Sequence, residues 1–419
     1  MSELNNIPKH WQVKKLGEVA DYINGRAFKP TEWENSGIPI IRIQNLNKAE
    51  AAYNFSSKEF EERYKLKKGD LLYAWSASFG VYIWSGEKAW LNQHIFKVVP
   101  KSICDKKFLF YTLDKITTEL YSKAHGSGMV HVTKGKFEGT EILLPPLPEQ
   151  LAIVSKIEEL LSDLENGKQQ LITAQQQLKV YRQSLLKAAF EGKLTSTSLS
   201  EQKDGELPKG WKYMKFGELF VDTPQNGIYK PSTKYGSGTP ILRIDGFYDG
   251  VILANYDYKR VQLTTEEIEK YHLSLDDIVV NRVNSMSHLG KCGLVKTINE
   301  KTVFESNVMK IQINKRLALP KFITFYLASS NGIKELTKNA KHAVNQASIN
   351  QTDVSNATIP LPTLFEQHQI VEILESKLTV CDKIEETISQ SLLQAETLKQ
   401  SILKKAFEGR FDFHFGYAQ

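Results

Sequence analysis

A segment of about fifty residues occurs twice in this 419-residue chain and restricts the folds that the chain can adopt. The copies occupy residues 144–194 and 361–411. Glu149 recurs as Glu366, 217 positions later, and Phe190 recurs as Phe407 at the same distance, so the copies align without a gap. An inserted residue in a helix would rotate everything after it by about 100°. The absence of insertions therefore predicts that each copy is one long helix with a buried stripe.

Apolar side chains recur every seven residues in both copies, which is the spacing of a coiled-coil seam. The first copy supplies Ile157, Leu164, Leu171, Leu178 and Leu185. The second supplies Leu374, Ile388 and Ile402, with Ile384 and Leu398 in a second series three positions on. A glycine followed by a cation, at positions 192 and 409, predicts the end of each helix. Between Glu149 and Glu191 such a helix is about 64 Å long.

A helix of this length cannot bury its stripe alone, and the other copy is the simplest partner. Antiparallel packing would place whatever precedes each helix at opposite ends of a rod, with an approximate two-fold axis. The alternative is that each stripe belongs to the core of its own domain. The length and the end signals favour the rod.

The regions before the helices are also duplicated, since residues 7–19 resemble residues 207–219. Short apolar or alternating runs bounded by Gly, Pro, Asn and Ser predict strands, with one helix per module at 107–122 and 320–337. The predicted fold class is α+β: two mostly-β modules separated by two long antiparallel coiled-coil helices, related by a pseudo-two-fold axis.

Composition is that of an ordinary globular protein, with 41% apolar and 24% charged residues and a net charge of +6. Three dispersed cysteines argue against a disulfide framework or a cysteine-rich zinc site. No secretion signal or membrane-spanning run is present, which favours the cytoplasm. The nine histidines show no metal-binding spacing, and no phosphate-binding glycine loop or methyltransferase motif occurs. We therefore expect neither a catalytic residue nor a metal site in this chain.

The loops of both modules are rich in side chains that contact DNA bases and phosphates. In the first module the candidates are Arg26, Lys29, Gln44, Asn45, Trp75, Ser76, Ser78, Asn92, Gln93, His94, His125, Ser127 and Met129. In the second they are Tyr229, Lys230, Asp245, Arg282, Asn284, Ser285, Asn307, His342, Asn345 and Gln346. The alternative is that these are ordinary polar loops. Two reading modules in one chain should carry different reading residues, as residues 75–78 and 282–285 do.

Taken together, these motifs resemble the specificity subunit of type I restriction-modification systems over nearly the whole chain. The resemblance rests on residues 69–76 and 92–96, on the Leu-Pro-x-Leu-x-Glu-Gln starts of the helices and on their Phe-Glu-Gly ends. The second module departs from the pattern with Asp276 in place of Gly69 and lacks the Trp-Ser motif, which leaves the register of its reading loop open.

The resemblance implies a non-catalytic subunit that reads a bipartite, asymmetric site in double-stranded DNA. The implied divisions are a target recognition domain at 1–145, a helical region at 146–194, a linker at 195–206, a second recognition domain at 207–358 and a C-terminal helical region at 359–419. It also implies two modification subunits and further restriction subunits as partners, with S-adenosylmethionine and ATP bound by those partners. A coiled-coil scaffold whose β modules bind protein is the alternative.

Overall fold

The computed structural model describes residues 8–48, 50–76, 79–124, 134–195, 207–344 and 346–411. It divides into two compact units. The first contains residues 1–171 and 390–419, and the second contains residues 172–389. Each long helix begins in one unit and ends in the other.

The first unit contains a small pair of strands and two four-stranded sheets, ordered β2-β9-β6-β7 and β4-β3-β8-β5. Pairing is antiparallel except between β3 and β8. The strands are β1 Gln12–Lys15, β2 Ala20–Asn24, β3 Ile38–Ile41, β4 Asn54–Ser56, β5 Lys65–Leu66, β6 Leu71–Ala74, β7 Gly80–Ile83, β8 Ala89–Leu91, β9 Ile95–Pro100 and β10 Glu141–Leu144. The helices are α1 Leu16–Val19, α2 Ile43–Asn47, α3 Lys106–Ala124, α4 Lys134–Glu138 and the start of the long helix α5 Leu147–Phe190.

The second unit repeats the small strand pair and adds a six-stranded sheet, ordered β12-β21-β17-β19-β15-β14, and two three-stranded sheets, β16-β13-β20 and β18-β23-β22. The strands are β11 Lys212–Lys215, β12 Gln225–Asn226, β13 Tyr235–Leu242, β14 Phe247–Tyr248, β15 Gly250–Ile252, β16 Lys259–Val261, β17 Ile278–Asn281, β18 Val283–Asn284, β19 Cys292–Leu294, β20 Val303–Phe304, β21 Val308–Ile311, β22 Lys341–Ala343, β23 Gln346–Ser348 and β24 Thr358–Leu361. The helices are α6 Thr265–Tyr271, α7 Pro320–Ala328, α8 Ser330–Thr337, α9 Gln351–Asn356 and the start of α10 Leu364–Phe407.

One strand in each unit separates two hydrophobic cores. Successive side chains of a strand point to opposite faces, so β6 places Leu71 and Tyr73 in one core and Leu72 in another. In the second unit, β17 places Ile278 in the core that contains the end of α5, and Val279 in a separate core. Both strands are buried along their whole length. This burial explains their continuous apolar sequence.

The paired motif Glu-Gln at the start of each long helix attaches the helix to its module. Gln150 and Gln367 are fully buried, and each makes three hydrogen bonds to the main chain. The side-chain oxygen of Gln150 accepts from the N–H of Asp105, directly before α3, at 2.7 Å, and that of Gln367 accepts from the N–H of Leu319, directly before α7, at 2.9 Å. The amide nitrogen donates to Ile103 and Pro145 in the first case, and to Leu317 and Pro362 in the second.

Both long helices contain 44 residues and end as the sequence predicts. Gly192 and Gly409 adopt φ values of +72° and +67°, the left-handed conformation that glycine tolerates best. In each case the N–H of the following cation bonds a carbonyl five residues back, at 2.9 Å for Lys193 and 3.0 Å for Arg410. This is the Schellman cap, which satisfies carbonyl groups at the helix end.

Within each unit the two helices run antiparallel. In the second unit, Arg182 Nη2 bonds Asp382 at 2.6 Å and Glu385 at 3.1 Å, while Phe190, eight residues further on, shares a core with Leu374. In the first unit, Lys168 pairs with Glu396 at 2.5 Å, and the earlier residues of α5 share a core with the end of α10. The predicted α+β class, with two mostly-β modules and two long helices packed together, is confirmed.

The seam is narrower than predicted. Buried positions include Ile157, Leu178, Leu185, Leu374, Ile388 and Ile402, whereas Leu164 and Leu171 are half-buried. Ile384 and Leu398 are 44% and 50% exposed, so the prediction that they pack in the seam is wrong. Between residues 374 and 402, α10 buries one heptad series, namely Leu374, Cys381, Ile388, Ala395 and Ile402.

The predicted module helices are partly corrected. The helix predicted at 107–122 is present as α3. The helix predicted at 320–337 is broken at Ser329, whose hydroxyl accepts from the N–H of Gly332 at 3.1 Å and caps a new helix. Each module also contains shorter helices, so the prediction of one helix per module is wrong.

Candidate nucleic-acid interface

Three loop segments of the first module meet where strands β2, β6 and β8 end. Backbone hydrogen bonds hold the segments in place independently of their side chains. They run from the N–H of Gly25 to Ile95 (3.1 Å), Arg26 to Leu91 (2.9 Å), Trp75 to His94 (3.3 Å) and Asn92 to Ile41 (3.2 Å). We call this arrangement of backbone hydrogen bonds the backbone frame of the first module.

The second module has the same backbone frame, with one equivalent hydrogen bond for each of the four. The hydrogen bonds run from the N–H of Gly227 to Val308 (3.0 Å), Ile228 to Phe304 (2.9 Å), Arg282 to Asn307 (2.9 Å) and Glu305 to Leu242 (3.0 Å). Gly25 and Gly227 are required, because a Cβ atom would lie 2.0 Å from the carbonyl oxygen of Asn92 and 2.3 Å from that of Glu305. The frame therefore aligns Trp75 with Arg282, and residues 92–94 with residues 305–307.

Trp75 forms the centre of the first module's frame. Its ring stacks on Phe96 at 5.6 Å between centroids and lies 5.7 Å from the ring of His94. The indole N–H donates to Asn24 Oδ1 at 3.3 Å. Asn92 and Gln93 are half-buried beside it, whereas His94 is exposed. The structure therefore brings together Trp75, Asn92, Gln93 and His94, together with Asn24, which was not among the selected residues.

Two candidates of the first module serve the fold instead. Arg26 donates through both terminal nitrogens to Glu32, at 2.9 and 2.7 Å, and lies over the ring of Phe60 at 4.3 Å. The hydrogen bonds from Arg26 lower the pKa of Glu32 to about 2. Asn45 is buried, and its amide caps α2 and bonds two carbonyls of the following loop, at 3.1 Å each. Because their polar groups are engaged inside the module, we withdraw both as base-reading candidates.

Seven further candidates of the first module remain, and four of them lie outside the described residues. Lys29 and Gln44 are exposed and Ser76 is half-buried. The main-chain N–H of Lys29 bonds Glu32 at 2.8 Å. The positions outside the described residues are Ser78, His125, Ser127 and Met129.

In the second module the sheet β18-β23-β22 joins two predicted tracts that are about sixty residues apart. Residues Val283 and Asn284 pair with β23, and β23 pairs with β22 to form a hairpin. The register places Asn284 and His342 on either side of Ala347. We call residues 341–344 and 346–348 the reading ribbon. His342 and Gln346 are exposed on it, and Asn345 lies outside the described residues.

Arg282 lies at the base of the ribbon, and only part of its guanidinium group is hydrogen-bonded within the described residues. Its Nη1 donates to the carbonyl of Ser306 at 3.0 Å, while Nε is buried without a hydrogen-bond partner among the described residues. Burial lowers the pKa of this guanidinium below its usual value. Ser285, three residues further along the chain, bonds His288 at 3.2 Å. His288 was missed because nothing in its spacing distinguishes it from other loop histidines.

Two other candidates of the second module are already paired within it. Lys230 bonds Glu267 at 2.6 Å, and Asp245 accepts from the hydroxyl of Tyr256 at 2.7 Å. Burial raises the pKa of Tyr256, and this hydrogen bond raises it further. Tyr229 is 77% exposed. Asn307 is half-buried at the frame position that matches His94.

The described residues contain no cluster of three or more His, Cys, Asp or Glu side chains that could hold a metal ion. Over the same residues, the helices include none whose length and apolar character would let it cross a membrane.

Comparison with known proteins identifies the family of this chain. The sequence matches the type I restriction modification DNA specificity domain twice, over residues 8–174 and 208–394, and the chain therefore belongs to this family.

Its relatives include the EcoBI specificity subunit of Escherichia coli, 28% identical over 97% of this chain and 87% of the relative. The MjaVIII specificity subunit of Methanocaldococcus jannaschii is 29% identical over 96% of this chain and 93% of the relative. These relatives are non-catalytic DNA-recognition subunits of type I restriction systems, and this chain is a subunit of that kind.

Two solved structures share the fold. The HsdS subunit from Thermoanaerobacter tengcongensis has a TM-score of 0.57 at 21% identity and covers 98% of this chain and 100% of its own. A chain from a structure on the complex assembly and conformational transition of the type I R-M system has a TM-score of 0.71 at 21% identity, covering 97% and 99%.

Proposed function

We propose that the chain reads a bipartite, asymmetric DNA site, with one half-site contacted by each module. The supporting observation is that the backbone frames of the two modules have equivalent hydrogen bonds but carry dissimilar side chains. Trp75 in the first module takes the place of Arg282 in the second, and residues 92–94 (Asn-Gln-His) take the place of residues 305–307 (Glu-Ser-Asn). Bases differ in the donors, acceptors and methyl groups at their edges, so different side chains on one frame suit different sequences.

We further propose that the long helices carry two modification subunits, through which restriction subunits join the complex. In each unit the helices expose large apolar side chains, as protein-binding surfaces do. In the second unit these are Val180 (66% exposed), Val380 (55%) and Ile384 (44%), and in the first they are Leu393 (72%) and Leu398 (50%). This use of the surface also accounts for the apolar character of the two positions that are absent from the seam.

In this proposal S-adenosylmethionine and ATP are bound by the partner subunits. The divisions at 1–145, 146–194, 195–206, 207–358 and 359–419 remain predictions.

The decisive experiment is to co-express the chain with its modification subunit in a host without other DNA methylation and to map methylated adenines. We expect one motif with two specified halves and a constant unread spacer. Replacing residues 207–358 with the same span of a homologue should change one half only, and replacing residues 1–145 should change the other. Both halves changing with either replacement would contradict independent reading. A scaffold that binds only protein would produce no motif.

A further inference from the structure

The turn of the reading ribbon exposes an apolar side chain. Val344 is 91% exposed, more than any other large apolar side chain that the structure describes. An exposed β-branched side chain at a turn contributes almost nothing to folding, since it removes no apolar surface from water. The side chain of Val344 is therefore accessible to a binding partner.

The base of the ribbon is packed into the core of its module. Ala347 and Ile349 are 2% and 1% exposed and belong to the main core of the second unit. The N–H of Ile349 bonds the carbonyl of Arg282 at 2.9 Å, which connects the ribbon to the backbone frame of the second module. Val344 thus projects from an anchored element, as a specificity-determining residue must.

The charge of the ribbon suits DNA. Residues 341–348 contain no Asp or Glu, and Lys341 and His342 are both exposed. The strand β22 lies at the edge of its sheet, and among the described residues no further strand pairs with that side. A basic ribbon with an open edge can approach phosphates without repulsion.

The dimensions select the groove. Two paired strands lie about 4.8 Å apart. With side chains, such a ribbon fits the major groove of B-DNA, about 12 Å wide, but not the minor groove, about 6 Å wide. The apolar group that base edges present in the major groove is the 5-methyl group of thymine.

We infer that the reading ribbon enters the major groove of the half-site read by the second module, and that Val344 contacts the 5-methyl group of a thymine there. This inference rests on the proposed function, because it concerns how the second module reads its half-site.

The test measures the affinity of the chain, in complex with its modification subunit, for DNA duplexes that contain the motif found by methylation mapping. Each thymine of the half-site assigned to residues 207–358 is replaced in turn by deoxyuridine, which removes only the methyl group. We expect wild type to lose affinity about fourfold at one position, the effect of one buried methyl group. Val344→Ala should bind thymine and deoxyuridine duplexes with a smaller difference, and Val344→Gly with none. The control Val13→Ala, at a 59% exposed valine of the first module, should keep the wild-type difference.

Three results would overturn the inference: a half-site without thymine on either strand, equal binding of all deoxyuridine duplexes by wild type, or an unchanged difference in Val344→Gly. Thermal unfolding of each variant separates these results from misfolding. Failure of the proposed function is distinct, since then no bipartite motif would be found at all.

Discussion

The two modules keep the same backbone frame but place their arginine–glutamate pair differently. In the first, Arg26 is part of the frame and pairs with Glu32, six residues along. In the second, the frame position of Arg26 is taken by Ile228, and the glutamate enters the frame instead, where Glu305 accepts from Arg243 at 2.9 Å. The comparison teaches that the main-chain bonds define the module, whereas the ion pair beside them can be relocated.

A second contrast concerns a turn before the central strand of each module. Gly69 and Asp276 both adopt positive φ, +87° and +69°. In each, the following aspartate accepts from a main-chain N–H three residues back, Asp70 from Lys67 at 2.9 Å and Asp277 from Ser274 at 2.7 Å. The substitution that blurred the sequence comparison therefore leaves the turn intact.

The largest expected effect comes from the buried glutamines. Replacing Gln150 with Leu leaves three main-chain groups without partners, which costs about 3 kcal/mol or more of unfolding free energy. Gln367→Leu should cost less, because its bonds to Leu317 and Pro362 are longer, at 3.3 and 3.1 Å, than the two 2.9 Å bonds of Gln150. Amide hydrogen exchange in β1 with β10, and in β11 with β24, measures each module separately.

The control for that pair is Gln176→Leu, at an exposed position of α5, which should change protection in neither module. Equal losses in the two glutamine variants would show that hydrogen-bond length does not distinguish the modules here.

The next effect is a dependence on acid in the first module. Because Arg26 lowers the pKa of Glu32 from 4.5 to about 2, the ion pair stabilises the module above pH 4.5, and this stabilisation is lost as the pH falls towards 2. Wild type should therefore lose more protection between these pH values than Glu32→Gln, measured by hydrogen exchange in the loop 25–34. Parallel curves for the two proteins would refute the assignment.

The smallest effect concerns the left-handed turn. Asp276→Gly should stabilise the second module by less than about 1 kcal/mol, because glycine adopts positive φ without strain. The ion pair with Lys315 that it removes is exposed and contributes little. Gly69→Asp should destabilise the first module by about 1 kcal/mol. Asp276→Asn, which removes the charge but tolerates the turn, serves as the control in urea unfolding. A loss of stability in Asp276→Gly would mean that the ion pair outweighs the strain.

Periodicity and local chemistry were sufficient to predict much of the fold. The helix ends at Gly192 and Gly409 follow from glycine's conformational freedom, and the central strands follow from short apolar runs. The exposed face at Ile384 could not be predicted, because a heptad pattern reports apolar spacing and not how many neighbours are available to cover it. The break at Ser329 was missed because a hydroxyl that caps a helix also fits within one.

For the interface, sequence reasoning selected Trp75 and Arg282, and the structure places them at matching positions. It also selected Arg26 and Asn45, whose partners are Glu32 and the carbonyls of a neighbouring loop. Whether an arginine or asparagine is free to contact DNA depends on the partner that folding provides. Residue type and spacing carry no information about that partner.

The helix caps have one further consequence. A Cβ atom on Gly192 would lie 2.1 Å from Pro208, and one on Gly409 would lie 2.5 Å from Pro8. Each helix thus finishes against the opening of a module: the first against the one that follows it in the chain, the second against the one with which the chain starts. The order of modules and helices along the chain is therefore cyclic. A circular permutant that is cut between residues 195 and 207, and joined from residue 411 back to residue 8 by a segment of similar length, would preserve every one of these junction contacts.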